Sequence, residues 1–204
     1  MIRILKVLTL AATVLSVAAP VRAGQYDAVF GDVQRMLGQA AKNDEAGLNA
    51  IRQQLENLAK PAHRNAKEAR ALNQQGLDAL KRNDYQAAAT AFQKAQETDP
   101  ADVEVAGNLG YANLKLGQFR RAEHQLTYAI SLAPGRSSSW FNLGQVYGAL
   151  GEIEKAAGAF AAAYRFSQNP PKTLEFMRQA LTAPENNETT RAALKWTLDL
   201  SKLP

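Results

Sequence analysis

The 204-residue chain has 46% hydrophobic residues, 21% charged residues and no cysteine, a composition ordinary for a globular protein held by packing alone, without disulfides or thiol chemistry. Its formal charge of +5 comes from 24 Lys and Arg against 19 Asp and Glu, but Arg3, Lys6 and Arg22 belong to the first 23 residues, and without them 21 cations face 19 anions. A balance near +2 is too small to draw a chain onto nucleic acid or a membrane surface by electrostatics, so neither partner is expected.

Residues 1–23 have the three parts of a secretory signal peptide: Arg3 and Lys6, the uncharged run Val7 to Ala19, and small residues around Val21-Arg22-Ala23. A spanning helix needs roughly 20 apolar residues, and Pro20 and Arg22 cut this run short. Cleavage after Ala23 is therefore expected, with no membrane insertion afterwards. The alanine-rich leader points to the periplasm of a Gram-negative bacterium.

Residues 24–60 read as a helix pair. Val29, Phe30, Val33, Met36, Leu37 and Ala40 recur at helical spacing, and Leu48, Ile51, Leu55 and Leu58 follow the break at Asn43-Asp44. A cap on the following array and a coiled-coil arm, which would allow a homo-oligomer, are both compatible with this pattern. Residues 61–68, around Pro61 and His63, read as a linker.

From residue 69 the sequence beats at 34 residues. Gly76, Gly110 and Gly144 keep that interval, as do Ala88, Ala122 and Ala156, then Phe92, Leu126 and Phe160, then Ala95, Ala129 and Ala163, and finally Pro100 and Pro134. Glycine and alanine suit helix crossings, where a larger side chain would push the axes apart. Asn83-Asp84 suits a helix N-terminus, and the prolines suit first helical turns.

These columns resemble the tetratricopeptide repeat, a helix-turn-helix unit. Three units result: 69–102, 103–136 and 137–170. The third matches best, with Trp140, Leu143, Gly144, Tyr147, Ala156, Phe160 and Ala163 in register, although its closing proline comes late, at Pro170. The resemblance implies an all-α, right-handed superhelical stack of hairpins with helical caps at both ends. Gly38 and Ala50 repeat the glycine-to-alanine spacing, so the N-terminal pair reads as a degenerate repeat or cap. Residues 171–204 read as capping helices, Thr173 to Leu181 and Glu188 to Leu200, with Trp196 sealing the stack.

In the family, the first helix of each unit lines a concave groove. Carried onto this sequence, that surface includes Asn73, Leu77 and Leu80 in unit one, Asn108, Tyr111, Leu114 and Lys115 in unit two, and Phe141, Asn142 and Gln145 in unit three. Asn108 and Asn142 share one position, similar to the asparagine ladder of O-GlcNAc transferase repeats; such amides read a peptide backbone or else bond neighbouring helices. The carboxylate clamp of chaperone-binding members is rejected, because Asn73, Leu77, Ser138 and Asn142 stand at its other positions. Three amide bonds at about 0.5–1.5 kcal/mol each fall short of the roughly −8 kcal/mol of micromolar binding, so the apolar residues must supply the rest.

No metal, cofactor or catalytic constellation is expected. His63 and His124 are the two histidines, neither with a partner at ligand spacing, and no G-x-S-x-G or phosphate-cradling loop occurs. The expected function is thus a non-enzymatic periplasmic module binding a peptide or helix of a partner protein in its groove. The alternative is a structural or assembly subunit of an envelope machine (pilus, secretion or cell-wall complex), working through its N-terminal helices or outer faces.

Overall fold

The computed structural model describes residues 23–200, so the expected signal peptide lies outside the described residues save for Ala23. Ten helices account for all the regular structure among them: α1 Ala23–Ala41, α2 Glu45–Glu56, α3 Ala66–Lys81, α4 Tyr85–Thr98, α5 Val103–Lys115, α6 Phe119–Leu132, α7 Ser137–Ala149, α8 Ile153–Arg165, α9 Pro170–Thr182 and α10 Glu188–Leu200. The pairs α3–α4, α5–α6 and α7–α8 are the three repeats, each packed on the next.

The periodic glycines occupy equivalent contacts. A Cβ at Gly110 would lie 2.6 Å from Leu126 Cγ, one at Gly144 would lie 2.5 Å from Phe160 Cε1, and one at Gly76 would overlap the Phe92 ring. Each glycine is thus a notch in the first helix that receives the large side chain of its own second helix. Phe92 also clusters with Leu109 and Ala112 of the next unit, so it joins units as well as closing its own. Ala88, Ala95, Ala122, Ala129, Ala156 and Ala163 are fully buried, as are Trp140 and Tyr147. Corners between repeats are tied by side chains: Tyr128 Oη donates to the Pro100 carbonyl at 2.8 Å and Trp140 Nε1 to that of Pro134 at 2.7 Å.

Each hairpin turns through one left-handed residue, Asn83 (φ 58°), Gly117 (φ 70°) or Gly151 (φ 80°). These sit 34 apart, and only glycine or asparagine adopts such a conformation at low cost. In α4, Asp84 then caps the helix by accepting from the Ala87 N–H. Asn43 (φ 60°) makes the same turn between α1 and α2, with Asp44 as the N-cap.

That shared turn corrects the reading of the N-terminal pair. Aligned on the left-handed residue, the notch position of α1 is held by Met36, which is fully buried, whereas a Cβ on Gly38 would meet nothing within 4 Å. The Gly38–Ala50 interval is a coincidence of spacing. With methionine in the notch the two helices cannot close as the repeats do, and the pair does not precede unit one in the stack. It folds back over the second helices of units two and three, with α1 along α8 and touching α6. A Cβ on Gly158 of α8 would overlap the Leu37 carbonyl, so the two backbones meet directly. The exposed end of the array at α3 carries Arg70, Gln74, Gln75 and Asp78 on its surface and has no apolar stripe to cover.

The result is a helix enclosed on several sides. Every residue from Ala156 to Ala163 is buried, because α7, α1 and α10 all pack on α8. A helix apolar all round is one surrounded by protein. At the C-terminal end, α10 covers α7 and α8, placing Thr190 against Gly148 and donating from Thr197 Oγ1 to the Ala157 carbonyl at 3.1 Å. The seal is made by Ala193, Leu194 and Leu198. Trp196, expected there, lies off that stripe and is 39% exposed.

Residues 57–65 lie outside the helices and are fixed at one corner. The Asp99 carboxylate, 1% exposed, accepts from the Arg64 and Ala101 N–H groups at 3.2 Å and pairs with His63 Nδ1 at 2.8 Å. His63 is therefore a structural partner of the corner between units one and two. Burial raises the Asp99 carboxyl pKa, but the His63 and backbone hydrogen bonds outweigh it and hold the group below its ordinary value.

Two sets of measurements check this account. Urea denaturation of Gly144→Ala and Gly158→Ala should show losses of about 1–3 kcal/mol each, the usual cost of overpacking. Gly38→Ala, in open space within a helix, should gain up to about 1 kcal/mol. Because the folded pKa of Asp99 lies below the unfolded value of about 3.9, its stabilisation is complete above about pH 4 and is lost as pH falls through the folded pKa. The gap in urea midpoint between the parent chain and Asp99→Asn should accordingly be wider at pH 7 than at pH 3.

Candidate functional site

A groove of about 1150 Å³ lies between α5, α7 and α9, closed at one side by the α9–α10 loop. Its floor comes from first helices, which is why residues one turn apart converge: Tyr111, Leu114 and Lys115 from α5, and Phe141, Asn142 and Gln145 from α7. Phe141 is packed in place by Phe160 beneath it, ring centroids 5.1 Å apart.

The opposite wall is α9, and the sequence reading missed it. This helix buries only Met177 fully, with Leu174, Ala180 and Leu181 partly covered. Phe176 falls off that stripe, is 53% exposed, and lies 4.8 Å from the Phe141 ring. An aromatic one residue away from an amphipathic stripe was the available signal. Phe119 and Phe166 also line the groove. Side-chain caps stiffen the loop at its edge. Asn186 Nδ2 donates to the Ala180 carbonyl at 2.7 Å, and Asn187 Nδ2 to that of Gly148 at 2.9 Å while its carbonyl oxygen accepts from the Thr190 N–H.

Unit one contributes nothing to this hollow. Leu77 and Leu80 pack on the core cluster around Phe92. Asn73 is buried and accepts from Asn108 Nδ2 at 3.0 Å, itself donating toward Glu104 Oε1 at 3.5 Å. The first two rungs of the amide row therefore bond each other across neighbouring helices, and Asn142 alone of the three faces the groove.

Charge around the groove is uneven. Lys115 ends α5, Arg136 precedes α7 and Lys172 opens α9, while Glu185 is the one carboxylate in the lining. Among the described residues none of these cations forms an ion pair. Lys115 Nζ lies 5.6 Å from the Tyr85 ring centre, and Arg136 Nε donates to Ser138 Oγ at 3.2 Å.

Away from the groove, Tyr147 Oη donates to Glu123 Oε1 at 2.9 Å and accepts from Gln34 Nε2 at 2.6 Å, while Arg120 pairs with the other Glu123 oxygen at 2.9 Å. Burial, then the Glu123 charge, pushes the Tyr147 hydroxyl well above its ordinary pKa. This knot joins α1, α6 and α7. His124 is exposed on α6. Among the described residues no cluster of three His, Asp or Glu side chains could hold a metal, and no helix is long and apolar enough to cross a membrane.

Two tetratricopeptide-repeat family models match the chain, over residues 79–127 and 109–171. Residues 79–171 are tetratricopeptide repeats. Among solved structures, the first such domain of Spaghetti (RPAP3), bound to the HSP90 peptide SRMEEVD, is 22% identical, with 60% of this chain and 100% of that one covered at a TM-score of 0.51. The OM64 domain from Arabidopsis is 20% identical (67% and 98% covered, TM-score 0.53), and the Sgt2 domain from Aspergillus fumigatus is 19% identical (69% and 85%, TM-score 0.53). At these identities the likeness concerns the fold.

The groove aromatics differ in what they do for the repeat stack, and stability measurements should separate them. Phe141→Ala removes a buried ring and should cost about 3–5 kcal/mol. Phe176→Ser should cost only about 1–1.5 kcal/mol by urea denaturation, since half of that ring is already in water.

Proposed function

We propose that this repeat protein is a non-enzymatic interaction module of the bacterial periplasm, holding a peptide or helix of a partner protein in the groove between α5, α7 and α9. Domains of this family typically mediate protein–protein interaction, and one structural relative carries a bound peptide. The observation that carries the reading is the aromatic lining, with Tyr111 and Phe141 in the floor and Phe176 in the wall. Interface energy concentrates on such anchors in concave, mostly apolar sites. The periplasmic setting rests on the leader pattern of residues 1–23.

The rival reading, an envelope subunit using its N-terminal helices as an arm, is less well supported. Val29, Val33, Met36 and Leu37 of α1 are buried in the main core, which leaves no free apolar stripe for a coiled coil.

A photo-crosslinking side chain at Gln145, inside the groove, should capture a discrete protein partner in the native cell. The same group at Gln93, on the outer face of α4, should capture none. Equal products from both positions would remove the groove from consideration. Fusion of residues 1–30 to alkaline phosphatase should give active enzyme, because that reporter matures only after export.

A further inference from the structure

Resting on the groove reading above, we infer that the partner segment is acidic, with an aromatic or aliphatic anchor that packs on the solvent-facing side of Phe176. Three cations from three different elements, Lys115, Arg136 and Lys172, line the groove together with Tyr111, Phe141 and Phe176, and Glu185 is its one carboxylate. This is not the chain's general charge: from residue 24 onward cations and anions nearly balance. Nor is it internal neutralisation, since ion-paired carboxylates such as Asp78, Glu123 and Glu152 sit outside the groove, against Lys81, Arg120 and Lys155.

Each class of occupant meets a different cost. A basic segment would bring like charges against three ammonium and guanidinium groups, and a neutral one would offer them only uncharged acceptors, whose hydrogen bonds are weaker than charge-assisted ones. An acidic segment gives each a charge-assisted partner and is steered inward during approach. The aromatic rings then supply the apolar burial that charge alone cannot. A nucleic acid also offers negative charge, but three cations on three separate elements, with Glu185 in the same lining, are few beside the clustered basic patch that marks a phosphate-backbone site.

The test is selection from a random 12-residue peptide display library on the full chain, on Lys115→Glu/Arg136→Glu/Lys172→Glu and on Phe176→Ser, with far-UV circular dichroism confirming that each variant keeps its helices. The parent chain should enrich peptides of net negative charge carrying an aromatic or aliphatic residue. A synthetic copy of one should bind at least tenfold more weakly to the triple variant and at least fivefold more weakly at 300 mM than at 50 mM salt. Enrichment of neutral or basic peptides that is nevertheless lost in Phe176→Ser would overturn the acidic partner and leave the groove standing. Enrichment indifferent to Phe176→Ser would remove the groove as well, and failure to enrich any peptide would count against both. Tighter binding of a 12-residue oligothymidylate than of the selected peptide would overturn the proposal in favour of nucleic acid.

Discussion

The arrangement depends on α8 being made of small side chains. Between Ala156 and Ala163 the helix has seven residues no larger than alanine and one phenylalanine. Helices approach it from three directions, and at Gly158 the backbone of α1 touches its surface. Ordinary repeat arrays are nearly one-dimensional, each unit touching only its neighbours. Here an N-terminal helix and a C-terminal helix pack on the same central element, so the two ends of the chain stabilise one core. Close approach of this kind yields dense packing and tolerates little added volume.

A buried polar knot fixes where α1 sits on that surface. Apolar contact between α1 and an alanine-rich helix is forgiving of small slides along the axis. The hydrogen bonds from Gln34 to Tyr147 and from Tyr147 to Glu123 are not, because each tolerates only a few tenths of an ångström. Glu123 is held by Tyr147 on one oxygen and by Arg120 on the other, and a carboxylate so satisfied bears burial that an unpaired one would not. With its pKa pushed upward, Tyr147 stays protonated and remains a donor to Glu123.

Much of this was legible in residue spacing, and the misreadings have physical causes. The 34-residue columns located all three hairpins because a glycine notch and its plug are strict local requirements. The turn residues Asn83, Gly117 and Gly151 form a further column; had it been used, Asn43 would have set the register of the first pair and shown Met36 in the notch. Where that pair docks is a tertiary matter that spacing within it cannot reveal. Its trace lay elsewhere, in the alanine run of α8, since α4 and α6 alternate buried with polar outward residues while α8 has no polar side across two turns. Trp196 misled because bulk was taken as burial, while the stripe Thr190–Ala193–Leu194–Thr197–Leu198 leaves its ring outside; Phe176 went unread, outside the stripe Leu174–Met177–Leu181.

The groove inherits its character from these choices. Its amide row is largely absorbed into the stack, Asn73 with Asn108, while rings and cations remain in the lining. The floor is rigid because Phe141 stands on Phe160, and Phe160 fills the notch at Gly144; any change there is felt by the whole third repeat. The wall is different. It is fixed through one fully buried side chain, Met177, and segments with few buried apolar contacts have low local stability. Exposed residues on α9, Lys172 and Phe176 among them, can therefore be exchanged at small cost to the fold.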